Sequence, residues 1–298
     1  MAVPATQASA EEFKSSKYAP QGQWRLNTSG DGCTIIRDFA SGENRLKFTI
    51  QQVHPGAIMQ FGIFGDEVEK PRKEINAGFL PADSLGKYDM WARAGVGGLD
   101  GFVVAGFPFP TLANKAQQQD GFEEARQAYL ARIEKSETYF VHGLADVPLE
   151  LETGAMREPF EALEECNKQK LIAMGITDEV ALARKSGPKP LDMQVWAKKL
   201  QENYPAKAAR SAWDGVVNMR LVIGANGRVE HCHVITQMTA KVLRDAACNG
   251  MVEHARYTPA KDADGNSLRS LVLTAIRFTL LRGEGFSADA HGFKIKDD

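Results

Sequence analysis

No apolar run in the sequence approaches the ~20 residues needed to cross a bilayer, and the longest, Leu271 to Ile276, is short and strand-like. An excess of charge of either sign is also missing. Lys and Arg number 36 against 38 Asp and Glu, and the net charge of -2 gives no electrostatic case for a nucleic-acid partner. Cysteine is scarce, with Cys33, Cys166, Cys232 and Cys248 only, and no Cys-x-x-Cys spacing occurs. That argues against a structural zinc knuckle or a thioredoxin-type redox pair. A Gly-x-Ser-x-Gly nucleophile elbow is absent. Gly95, Gly97, Gly98 and Gly101 fail the Gly-x-Gly-x-x-Gly pattern because Asp100 stands in it, and Phe102-Val103-Val104 follow where a helix should start. A turn between strands is the reading there. Glu123, Glu124, Glu164 and Glu165 lie on helical stretches and read as solvated faces. The expectation is a chain without catalytic activity, cofactor or metal.

What is present reads as an ordinary globular chain. A length of 298 residues suggests two domains, and 43% hydrophobic with 25% charged residues is a usual balance. Residues 1–20 are rich in Ala, Ser, Gln and Lys and read as a flexible N-terminus. The first residues, Met1-Ala2-Val3-Pro4-Ala5-Thr6, carry neither a charged n-region nor an apolar h-region, so they are not an intact signal peptide. Short alternating runs follow at Gln23 to Leu26, Cys33 to Arg37, Arg45 to Ile50 and Met59 to Ile63, each bounded by turn residues, as in an antiparallel meander. Phe102 to Ala105, Thr138 to Val141 and Pro148 to Leu151 read as further strands. Gly121 to Lys135 and Arg157 to Met174 read as helices. Residues 21–178 are thus expected to form a β-rich domain. Residues 179–191, with Gly187-Pro188-Lys189-Pro190, are expected to be a stiff linker. A second domain is expected over 192–282 and a solvated tail over 283–298. The fold class is α+β.

The most informative stretch is Tyr204 to Leu280. Val216 to Ile223 and Arg228 to Ile235 are strand-like around Asn226-Gly227, a hairpin signal because both turn residues tolerate positive φ. A helix from about Thr239 to His254 and a last strand from Leu271 to Leu281 complete the order. His231 and His233 share one strand face while Cys232 points to the other, toward the helix that ends in His254, so the geometry works against a shared metal ion.

Tyr204-Pro205, Gly215, Asn226-Gly227-Arg228-Val229 and Arg256-Tyr257-Thr258-Pro259-Ala260 appear in the order found in the C-terminal domain of TonB and TonB-like periplasmic proteins, and the chain resembles that family over about a quarter of its length. The family commonly has a Trp before the Arg-Tyr pair; this chain has Ala255. Gly32-Cys33, Leu151-Glu152-Thr153-Gly154 and Ala162-Leu163-Glu164-Glu165-Cys166 resemble, more weakly, the N-terminal half of some α-proteobacterial TonB-like proteins, for which the resemblance implies no activity. The resemblance implies a three-stranded antiparallel sheet with a packed helix, and a non-catalytic protein-interaction protein. It also favours a periplasmic location, the export signal being absent from this sequence, over the cytosolic alternative. Its partner would be a protein, such as an outer-membrane receptor or envelope component, whose extended segment adds a strand to a sheet edge.

The candidate edge is Leu271, Val272, Leu273, Thr274, Ala275, Ile276, Arg277 and Phe278, with Leu271, Leu273 and Ala275 expected to face the helix. Four cysteines allow three pairings. Packing of the second strand on the helix, with cysteines similarly placed in relatives, implies Cys232–Cys248. Cys33–Cys166 follows by elimination and from the weaker resemblance. The alternatives are an envelope structural protein that binds no receptor, and a small-molecule-binding or enzymatic N-terminal domain.

Overall fold

The computed structural model describes residues 15–29, 32–52, 59–69, 71, 74–88, 91–106, 122–235, 239–279 and 287–291. Most of the segment expected to be a flexible N-terminus, and much of the expected tail, lies outside these residues. So does Phe107-Pro108-Phe109-Pro110, where the two prolines are expected to end the strand over Phe102 to Ala105. Two compact units emerge. The first takes in residues up to Arg25, Ile35–Ile50 and Gln60–Glu161; the second takes in Leu26–Thr34, Gln51–Met59 and the chain from Ala162 onward.

The first unit is built on a ten-stranded sheet. Its strands are β1 (Ser16–Asn27), β2 (Cys33–Ser41), β3 (Asn44–Gln52), β4 (Met59–Gly65), β5 (Ile75–Leu80), β6 (Gly86–Tyr88), β7 (Trp91–Val96), β8 (Leu99–Gly106), β9 (Thr138–His142) and β10 (Leu149–Leu151). The spatial order is β6-β5-β9-β10-β1-β2-β3-β4-β8-β7. The expected meander is β1 to β4, and β1 pairs with β10 in parallel. β1 starts at Ser16, inside the segment expected to be flexible, because Ser16–Tyr18 are held by Leu149–Leu151. The Gly-rich stretch is a hairpin turn: Val96 opposes Leu99, and Gly97 and Gly98 both have positive φ. Helix α1 (Phe122–Ile133) and helix α2 (Arg157–Ala173) accompany the sheet in sequence.

Alternation places Phe48, Phe61 and Phe79 in one buried layer with Tyr139, whose ring stacks 4.5 Å from Phe48. Phe160 closes the layer edge-on to Phe79 at 5.8 Å. Such ring pairs add to the burial of large apolar area. On the β1 side, Arg37 lies over Trp24 and Phe39 and donates to the carbonyls of Gly22 and Thr153. Its stem covers apolar surface while its head is satisfied by backbone oxygens.

In the second unit the expected linker is structured. Helix α3 (Asp178–Ala183) starts at Thr177, which caps the Val180 amide, and β11 (Lys189–Leu191) pairs antiparallel with β14 (Arg256–Thr258). Pro190 is tolerated because β11 is the edge of a two-stranded sheet, where a missing donor leaves no gap in an inner ladder. The unit also reaches back to Ala162. Cys33 is bonded to Cys166, Lys170 donates to the Thr28 carbonyl, and the buried Asn167 donates to Gln52. The boundary between compact units therefore runs through α2 rather than through the prolines. Helix α4 (Met193–Glu202) and the short α5 (Ala206–Arg210) precede the C-terminal sheet.

Two stability outcomes follow. The Tyr139 hydroxyl is buried without a hydrogen-bond partner among the described residues, and burial holds its pKa well above the usual tyrosine value. Tyr139→Phe removes an unsatisfied polar group at constant shape, so urea unfolding should show no loss of stability and a gain of up to ~1 kcal/mol; a loss of more than that would mean the hydroxyl is satisfied. The two disulfides close loops of very different length, with separations of 133 for Cys33–Cys166 and 16 for Cys232–Cys248. In the chain-entropy model their removal by paired Cys→Ala replacement should cost about 5 and about 3 kcal/mol respectively, read from urea midpoints.

Candidate partner-binding site

The C-terminal sheet is assembled from β12 (Gly215–Ile223), β13 (Val229–Val234), β17 (Ser270–Thr279) and β18 (Ser287–His291), in the order β13-β12-β17-β18, while β15 (Ala260–Lys261) and β16 (Ser267–Leu268) pair with each other as a separate two-stranded sheet. The three strands expected from the sequence are present, and β18 adds a fourth. β12 and β13 are joined by the Asn-Gly turn, but over the five residues Gly224 to Arg228. The Gly227 amide bonds the Gly224 carbonyl, Arg228 N–H bonds the Asn226 side chain, and the register shifts by one between Val222 and Ile223. Gly227 has φ +76°, and a Cβ there would lie 2.0 Å from the Tyr257 carbonyl oxygen, so the position admits only glycine.

Helix α6 (Lys241–His254) packs on one face. Leu243, Ala247 and Met251 meet Val217, Met219, Leu221 and Ile223 of β12, with Tyr257 and the fully buried Ala255 in the same core. Burial pushes the Tyr257 phenol up to about 12. Gly250 lets α4 close in, since a Cβ there would sit 2.9 Å from Leu200. Cys232 directly opposes Leu221, on the helix face, and is bonded to Cys248 of α6. His231 and His233 oppose Val222 and Arg220 on the other face. Among the described residues no group of three or more His, Cys, Asp or Glu is placed to hold a metal ion.

The register of β17 on β12 corrects the expected facing of the candidate edge. Val272, Thr274, Ile276 and Phe278 oppose Leu221, Met219, Val217 and Gly215, and directly opposed residues share a face. Val272, Ile276 and Phe278 therefore face α6, with the Phe278 ring edge-on to Tyr204 at 5.6 Å. Leu271 instead packs with Val222, Leu171, Met174 and Ile176 on the far side. The sequence offered no alternation to choose by, because both faces of this strand carry apolar residues and both find apolar partners.

The expectation that one rim of β17 is open along its whole length is corrected as well. β18 pairs antiparallel with Ala275–Thr279, so the tail segment returns onto the sheet. Among the described residues no strand pairs with that rim over Ser270–Thr274. From the sequence, a tail that folds back from Arg282 onward to cover this edge is an alternative to a solvated extension, and the signal for β18 is the alternation Ser287-Ala288-Asp289-Ala290-His291. The candidate edge is thus one continuous strand, Leu271 to Phe278, held on one side by β12 and on the other covered from Ala275 onward.

Comparison with known proteins bears on this half of the chain. No curated protein and no solved structure matches the sequence. Residues 201–280 match the family model of the Gram-negative bacterial TonB protein C-terminal, and this stretch is therefore similar to a domain whose role is protein interaction in the envelope.

Proposed function

We propose that the chain is a non-catalytic periplasmic protein-interaction protein whose C-terminal sheet takes up an extended partner segment along the edge of β17. The observation that carries this reading is the pairing of Ser287–His291 with Ala275–Thr279. An extended segment of five residues pairs with this edge, so the edge accepts an added strand, and among the described residues no strand occupies the same rim over Ser270–Thr274. Main-chain hydrogen bonds supply the affinity in such additions, and pockets for alternate side chains supply the selectivity. The family match adds that domains of this kind act on protein partners in the Gram-negative envelope. No helix of the described residues is long and apolar enough to cross a membrane.

The coverage of Ala275–Thr279 by β18 also favours a second reading, an envelope structural protein that binds no receptor. Hydrogen exchange on the full chain separates the two. With a saturating N-terminal peptide of an outer-membrane receptor, the outward amides of Ser270–Thr279 should gain at least tenfold protection. No gain in that segment under saturation would remove receptor binding by strand addition and leave the structural reading.

A further inference from the structure

The segment that lies on β17 carries a pattern of its own. In the register of the pair, Ala290 opposes Ile276, Asp289 opposes Arg277, and Ala288 opposes Phe278. Ile276 and Phe278 are 1% and 2% exposed and belong to the core under α6. Arg277, between them in the strand, alternates to the other face and is exposed. α4 lies beside β18, so an added strand has little room on the core side. The segment paired here has alanines at the positions opposite Ile276 and Phe278, and an aspartate at the position opposite the exposed Arg277.

We infer that the β17 edge selects an extended segment with an acidic residue opposite Arg277, flanked by small apolar residues opposite Ile276 and Phe278, and that Ser287–His291 is the chain's own competitor for that edge. The inference rests on the strand-addition reading and specifies its partner. Opposite charges directly across an antiparallel pair attract, and like charges there repel. An acidic residue therefore fixes register along an edge whose backbone groups alone would accept several. The internal segment needs only weak intrinsic affinity to occupy the site, because its tether keeps it at high local concentration. A partner has to outcompete it.

The test uses the full chain with Asp289→Pro and Ala290→Pro together. Adjacent prolines are chosen because only alternate residues of an antiparallel strand direct N–H at their neighbour. Hydrogen exchange at the outward amides of Ala275–Thr279 should lose at least tenfold protection in this variant. A synthetic peptide copying residues 285–292 should restore it. The same peptide with Lys in place of the Asp should bind about fivefold more weakly, and the difference should shrink in high salt. Arg277→Glu in the double-proline background should reverse the order of the two peptides. Unchanged protection in the double-proline variant overturns the competitor, and equal binding of the Asp and Lys peptides overturns the selection. Failure of receptor peptides alone would remove the receptor reading while these results stood.

Discussion

The antiparallel ladder between β12 and β17 is the constraint on which the C-terminal half depends. It runs without interruption from Gly215 opposite Phe278 to Ile223 opposite Ser270. Because side chains alternate with a period of two, this one register decides every facing in the sheet, and a slip of one residue would turn Ile276 and Phe278 outward. It gives α6 an apolar floor of Val217, Met219, Leu221 and Ile223. It sends Leu271 and Val222 to the opposite face, where Leu171 and Ile176 cover them. A sheet buried on both faces over part of its area leaves its rim as the surface where backbone groups can still find a partner.

The rest of the second unit holds that ladder in place. The Cys232–Cys248 bond fastens β13 to α6, and Gly250 admits Leu200 so that α4 seals the helix against the sheet. Ser186 and Lys261 bond through their backbones, and β11 pairs with β14, so the proline-containing stretch serves as a strap and not a spacer. Arg269 pairs with Glu230 at 2.7 Å, and a Cβ on Gly175 would strike that guanidinium at 2.3 Å. These contacts are short-range in space and long-range in sequence. A packed environment of this kind rigidifies the backbone of an acceptor strand before any partner arrives, which reduces the ordering cost of binding.

Much of the C-terminal domain was legible because its signals are local. Asn226-Gly227 announces a hairpin through its tolerance of positive φ, and the helix and last strand follow by length and pattern. Cys232 and Cys248 fit once a strand is packed on a helix. The facing of β17 was not legible, since Leu271 to Phe278 is apolar on both sides and the choice was made by pairing with β12. β18 was hidden because Ala288 and Ala290 carry too little hydrophobicity to mark a strand in a tail that otherwise reads as polar. In the N-terminal half, β5 to β7 were missed for a related reason. These strands are short or interrupted by Gly78, Gly86 and Gly95, and β5 also pairs with a strand far away in sequence, Ala77 opposing Val141. The linker failed as an expectation because local stiffness at Pro188 and Pro190 says nothing of whether another strand waits beside it.

The central claim is that the rim of β17 exchanges one strand for another. Nuclear Overhauser contacts between Hα protons of opposed strands report this directly, because non-hydrogen-bonded antiparallel pairs bring them close. In the free chain such contacts should join Ala275–Thr279 to Ser287–His291. With a partner segment bound at saturation, they should vanish and be replaced by contacts from Ala275–Thr279 to the partner. Partner binding that leaves the original contacts intact would contradict the account.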